Sequence, residues 1–237
     1  MRKLIVYISL SCLATLTTSF RRVPAGHERP FTGSRLLADS IQSIYTQASF
    51  LYEQIGLAEK GLSEAAFEYA YKGYEYLLKK NLISEGAYLT ICDFSQSSKQ
   101  KRFYLIDIVN NKILMNTYVA HGRNSGGEYA TRFSNKPCSR ESSLGFYITK
   151  NIYRGEHGLS LRVEGLEPGF NDRAYKRAIV IHGADYIGDG STGRSYGCPA
   201  VPLKESKTII NTIKDGSCLF IYHPLKKYLQ SSKILNS

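Results

Sequence analysis

The stretch that decides the reading is "AIVIHGADYIGDGSTGRSYGCPAV", residues 178–201. It opens as an apolar, β-branched run that reads as a buried strand ending in His182, where the ring would be held firmly. A glycine-rich excursion follows, and Cys198 comes sixteen residues after His182, with Gly197 before it and Pro199 after it. Such a loop can fold back and bring the two side chains together. Glycine before the cysteine permits a tight turn that exposes consecutive N–H groups. The amides of Tyr196, Gly197 and Cys198 would then serve as an oxyanion hole, a feature often worth about 3 kcal/mol of transition-state stabilisation. A neighbouring imidazole activates a thiol, so the parts suit acyl transfer through a thioester. Spacing alone leaves other readings open. Cys198 can pair with Cys218 in a disulfide, or join His121, His157 and His182 at zinc, although these four lack ligand spacing. The loop has no P-loop lysine pattern and does not read as a phosphate cradle.

Outward from this stretch the period is that of strands. "YLTICDF" (88–94), "KRFYLIDIVN" (101–110), "KILMNTYVAH" (112–121), "LGFYIT" (144–149), "LSLRVEGL" (159–166) and "CLFIYH" (218–223) alternate or run apolar, and Asn110-Asn111 marks a hairpin turn. One helix, "LKESKTIINTIKDG", intervenes. The expected architecture is therefore mainly β (α+β): a catalytic domain over 86–225 preceded by a helical segment over 35–85. Within that segment Leu36, Leu37, Ile41, Ile44, Ala48 and Leu51 recur at helical steps, and Ser63 is an N-cap for a second helix. Its stripe of Phe67, Ala70, Tyr71, Tyr74 and Leu78 reads as core packing, because basic residues do not interleave with the rings. Residues 226–237 read as a polar tail.

The 237 residues carry a formal net charge of +11, which favours polyanionic surroundings: nucleic acid, an anionic membrane surface or an acidic cell-wall polymer. The N-terminus narrows that choice. Arg2 and Lys3 precede an apolar run from Leu4 to about Leu16, followed by small polar residues. This is too short for a membrane span, which takes roughly 20 apolar residues, and it has the layout of a signal peptide over 1–19. Residues 20–34, with two prolines and two glycines, form a flexible leader. Cleavage removes Arg2 and Lys3 and no acidic residue, so the mature chain keeps +9 of the +11. An exported chain, in the periplasm or cell wall, has no stable span after signal removal. Export makes disulfides possible for Cys92, Cys138, Cys198 and Cys218, but their spacings match no compact scaffold and no structural zinc motif.

Several co-linear motifs carry a resemblance. His182-Gly183 followed by Ser195-Tyr196-Gly197-Cys198 resembles the active-site signature of L,D-transpeptidases, the YkuD-type enzymes that cross-link murein. "HGRNSGG" (121–127), "FSN" (133–135), "SSLGFYIT" (142–149) and "GRSYGCPAV" (193–201) resemble most closely the murein L,D-transpeptidase catalytic domain family, over roughly 86–223. The resemblance implies a β-sandwich or barrel fold and a murein tetrapeptide stem as donor, cut before its terminal D-alanine. Its partners would be peptidoglycan stem peptides rather than nucleic acid, and it implies no cofactor and no metal. On the matching positions Cys198 would be the nucleophile and His182 the general base, with Ser195 orienting His182 or stabilising the loop. Arg194, His121, Arg123, Ser134 and Asn135 would bind substrate. Tyr196 stands where most members carry a second histidine, so His182 would serve as base alone. The competing functions are an L,D-carboxypeptidase, in which water resolves the same acyl-enzyme, and a peptidoglycan-binding module that has lost catalysis.

Overall fold

The structure is a computed structural model that describes residues 33–188 and 195–237. The expected signal peptide and nearly all of the leader lie outside the described residues. Among the described residues no helix is long and apolar enough to cross a membrane. Two helices, α1 (Gly33–Ile55) and α2 (Glu64–Lys79), lead into strands β1 (Leu89–Asp93), β2 (Phe103–Asp107), β3 (Lys112–Thr117), β4 (Gly145–Gly155), β5 (Gly158–Gly165), β6 (Val180–Ala184) and β7 (Ala200–Pro202). Helix α3 (Leu203–Ile213), β8 (Cys218–Tyr222) and α4 (Lys226–Ser231) complete the chain. The strands join in one mixed sheet of order β3-β2-β1-β8-β4-β5-β6-β7.

The late strand β8 enters the middle of this sheet, parallel to β1 and antiparallel to β4. Every residue of β1, β2 and β8 is buried, which is why these segments read as continuous apolar runs rather than as an alternation. The hairpin expected at Asn110-Asn111 forms between β2 and β3. Asp107 caps it by accepting from the Asn110 N–H at 3.0 Å, and Asn111 takes a left-handed φ of 49°. Ser63 caps α2, its hydroxyl accepting from the Ala66 N–H at 3.3 Å.

The tyrosine stripe of α2 is core, as its spacing predicts: Phe67, Ala70, Tyr71 and Tyr74 are buried, together with Leu77. Gly73 is the contact point between helix and sheet. A Cβ there would lie 2.0 Å from the Phe146 ring, so only glycine admits that ring. Phe146 in turn stacks on Phe220 of β8 at 4.1 Å between centroids, and both are fully excluded from water. Burying one such ring contributes about 2–3 kcal/mol.

Two expectations are corrected. Residues 226–237 are not a loose polar tail. They form α4 and a final turn, with Tyr228, Ile234 and Leu235 buried. The anchor is the buried Glu167 carboxylate, which accepts from the Tyr228 hydroxyl at 2.8 Å, from the Ser232 hydroxyl and from the Phe146 N–H at 2.8 Å. Four apolar residues, Tyr228, Leu229, Ile234 and Leu235, among lysines and serines are too sparse to show a period. The second miss is β7, whose three residues follow Pro199 and end in Pro202 without a strand pattern, yet it lies parallel to β6 with Ala200 opposite His182.

Candidate active site

His182 lies within β6, between Ser160 of β5 and Ala200 of β7. Its Nδ1 sits 2.9 Å from the Gly183 carbonyl oxygen. A carbonyl only accepts, so Nδ1 carries the proton and Nε2 presents its lone pair. The ring is 3% exposed, and burial holds its pKa below the ordinary histidine value. The His157 ring, from the two-residue turn between β4 and β5, stacks on it at 4.1 Å and 17°, and its charge opposes protonation further. Among these residues His182 is neutral and basic at Nε2, as a general base requires.

The segment before β7 is held from three sides. The Ser195 hydroxyl accepts from the Gly197 N–H at 3.0 Å and donates to the Cys198 carbonyl at 2.5 Å, closing a turn across 195–198. The Ser195 backbone is pinned to the 121–123 segment, its N–H donating to the His121 carbonyl and its carbonyl accepting from the Arg123 N–H. Ser142 bridges the same two segments: its hydroxyl accepts from the Gly122 N–H at 2.9 Å and donates to the Gly197 carbonyl at 3.2 Å. Gly197 has φ 123°, and a Cβ there would meet the Glu141 carbonyl at 2.9 Å. Both facts demand glycine.

Cys198 is half-buried. Its Sγ lies 3.8 Å from the Ala178 carbonyl. Burial pushes the thiol pKa above the ordinary cysteine value, opposed by the Val180 N–H, by the Arg177 charge and by the residue's own N–H. No hydrogen bond joins Cys198 to His182 among the described residues. The thiol and the imidazole are therefore both neutral at rest, on segments that the β6–β7 pairing sets in register. Apo active-site contacts of this kind commonly close only around substrate.

The remaining expected site residues divide. Ser195 is not placed to assist His182, because its hydroxyl is spent on the turn. Gly197 is not an oxyanion donor, because its N–H is spent on Ser195, leaving the Tyr196 and Cys198 amides. His121 does not line a substrate surface: it is fully buried, accepts from the Arg102 guanidinium at 2.7 Å through Nδ1, and packs edge-on to Phe94. It buttresses the 121–123 segment. Ser134 and Asn135 line a separate cavity of about 640 Å³ with Phe133, Arg173 and Leu225. There Asn135 Nδ2 donates to Asp172 at 2.7 Å, while the Ser134 carbonyl accepts from Arg177 at 2.7 Å. Arg123 and Tyr196 are exposed, the guanidinium 5.7 Å from the ring centre. Arg194 lies outside the described residues. All four described cysteines are free, so no Cys198–Cys218 disulfide forms, and the described residues contain no cluster of metal ligands.

Sequence reasoning gave no site role to Val180, Ser142 or Arg177, and read His157 only as a zinc candidate. Arg177 is half-buried and donates to the Ser134 carbonyl, the Ser143 and Ser139 hydroxyls and the Glu141 carbonyl, which carries one fixed positive charge up to the thiol. Nothing in "YKRAIVIH" distinguishes it from a surface arginine. The "SSLGFYIT" motif held the clearest missed signal, since its first two serines make the contacts that join the cysteine turn to Gly122 and to Arg177.

Comparison with known proteins gives the family. A family model described as the L,D-transpeptidase catalytic domain matches residues 58–222. Among solved structures, the chain is similar to an L,D-transpeptidase from Mycobacterium smegmatis (10% identity, TM-score 0.39, covering 58% of this chain and 59% of that one). It is also similar to L,D-transpeptidase 3 from Mycobacterium tuberculosis in complex with a faropenem-derived adduct (10% identity, TM-score 0.40, 58% and 60%). A third is a mutant L,D-transpeptidase from Enterococcus faecium (10% identity, TM-score 0.38, 57% and 50%). The matched region thus spans half to three fifths of those proteins. No curated protein matches the sequence. The chain belongs to the L,D-transpeptidase catalytic domain family.

Proposed function

From that membership, we propose that this chain is an exported cysteine L,D-transpeptidase acting on murein tetrapeptide stems. The observation that carries the reading is the His182 tautomer, with Nδ1–H fixed on the Gly183 carbonyl and Nε2 basic, on the strand paired with the one Cys198 leads into. In the reaction His182 Nε2 takes the thiol proton as Sγ attacks the carbonyl of the third stem residue. The Cys198 and Tyr196 amides face the developing oxyanion, and the Arg177 charge favours negative charge at sulfur. The C–N bond then breaks, and the imidazolium returns its proton to the departing D-alanine amine, leaving a thioester on Cys198. An acceptor amine from a neighbouring stem attacks that thioester, loses its proton to His182 and expels the sulfur. The residues named use no cofactor. Domain boundaries and export follow the sequence reading: signal peptide 1–19, leader 20–34, helical segment 35–85 and catalytic domain 86–225.

The test is incubation of the purified protein with tetrapeptide muropeptides, read by mass spectrometry. The expected result is release of D-alanine with a cross-linked product that requires an acceptor stem and is lost in Cys198→Ala. Tripeptide alone would assign a carboxypeptidase instead. Equal product from wild type and Cys198→Ala would overturn the reading.

A further inference from the structure

Beside Cys198 lies a cavity of about 410 Å³, lined by Asn124, Cys138, Arg140, Arg177, Ile179 and Tyr196. Its walls are the chain neighbours of the thiol on both sides: Arg177 and Ile179 flank Ala178, whose carbonyl touches Sγ, and Tyr196 lies two residues before the cysteine. The Tyr196 ring is 65% exposed, so burial does not hold it. Two cations do, with the Arg140 guanidinium 4.9 Å and the Arg123 guanidinium 5.7 Å from its centre.

The charge here is unbalanced. Among the described residues no Asp or Glu lines the cavity. Glu141 is next to Arg140 in the chain, but its carboxylate is turned to Arg132 at 3.6 Å. Arg177 spends both terminal nitrogens on Ser134, Ser139, Ser143 and Glu141, and so contributes charge but few donors. The guanidinium groups of Arg123 and Arg140 are different: among the described residues neither donates to any acceptor or pairs with any carboxylate. Two guanidinium forks pre-ordered on one ring, with their N–H groups unspent, match a carboxylate in geometry and charge.

We infer that Arg123, Arg140 and Tyr196 form a carboxylate-binding site beside Cys198, which selects donor peptides bearing a free carboxylate close to the bond that is cut. This rests on the reading of Cys198 as nucleophile. It gives Tyr196 the task of ordering the two arginines rather than relaying protons. The carboxylate has two possible sources in a stem: the terminal D-alanine or an internal residue.

The test is titration calorimetry on Cys198→Ala protein, which binds but does not turn over. Three tetrapeptides are compared: the free acid, its terminal carboxamide, and the same peptide amidated at its internal carboxylates. The free acid should bind about tenfold or more tighter than one of the two amides, and that amide identifies the carboxylate bound. Adding Arg140→Gln or Arg123→Gln should bring the acid-to-amide ratio toward one. Arg140→Lys should restore only part of it, because it keeps the charge and loses the fork. Lys207→Gln, an exposed cation on α3, should leave the ratio unchanged. Equal binding of all three peptides would overturn the inference, as would an unchanged ratio in both arginine variants or an equal effect from Lys207→Gln. A carboxylate preference found here in a protein that forms no product on muropeptides would leave this site standing and sink the transpeptidase reading instead.

Discussion

Cys198 and Cys218 stand twenty residues apart, each beside an apolar strand, and both thiols are pushed up by burial. Their surroundings differ in kind. Cys218 begins β8 in the middle of the sheet, is fully excluded from water, and has only desolvation acting on its sulfur. Cys198 begins nothing regular. It ends a serine-closed turn at the rim of the sheet, where two backbone N–H groups and the Arg177 charge oppose its burial. What differs is what faces the sulfur, and at Cys198 it comes from two segments, residues 177–180 and the cysteine's own turn.

The largest effect that sharpens this contrast is loss of function. Cys198→Ala should cost about 10³-fold or more in product formation, whereas Cys218→Ala should leave turnover intact. The Cys218 change should instead lower stability by about 1–2 kcal/mol, for one buried sulfur removed from the core, readable by thermal melting. Loss of turnover in a folded Cys218→Ala protein would break the comparison.

Next in size is the pH response. The two directions at the site agree: the Cys198 thiol is raised and the His182 imidazole lowered. The resting state at neutral pH is thus thiol and imidazole, not thiolate and imidazolium. Alkylation of Cys198 by iodoacetamide, read peptide by peptide, should keep rising through neutrality toward alkaline pH. A plateau already reached below pH 6 would show a preformed ion pair. Catalysis needs neutral His182, so activity should fall on the acid side, with its midpoint below the usual histidine value of about 6.5.

Gly197→Ala comes third. The new methyl must sit at a left-handed φ and against the Glu141 carbonyl, at a cost of about 1–3 kcal/mol. The damage should appear in kcat, because the same turn aims the Cys198 amide. The smallest effect belongs to His157→Ala. Removing the stacked ring lets water reach His182 and takes away an opposing charge, so the acid limb of the activity profile should move to higher pH. An unmoved limb would show that the stack is incidental.

Much of the fold was legible because its strands are buried on both faces and its helices are periodic. The segments "LTICD", "FYLID" and "CLFIY" could hardly be read otherwise, and the α2 stripe declared its face. The order of the strands was not legible. Nothing local says that β8, the last strand in the chain, inserts between β1 and β4, or that the short Ala200–Pro202 stretch forms β7. At the site, the strand that holds His182 and the demand for glycine at 197 were readable from local chemistry. Ser195 was left between two roles because a hydroxyl near a nucleophile looks the same in sequence whether it serves catalysis or closes a turn, and its bonds close the turn. His157 was read only as a zinc candidate and Arg177 was not singled out, because they come from the β4–β5 turn and the segment before β6, where histidine and arginine are ordinary surface residues.

The central claim is that Cys198, alone among the four described cysteines, is an acylable nucleophile. Intact-mass measurement after exposure of the purified protein to a carbapenem tests it directly, with peptide mapping to locate the change. The account predicts one added mass per chain, on Cys198, absent from Cys198→Ala and slowed in His182→Ala. An unmodified wild-type protein, or an adduct on Cys138 with Cys198 untouched, would contradict it.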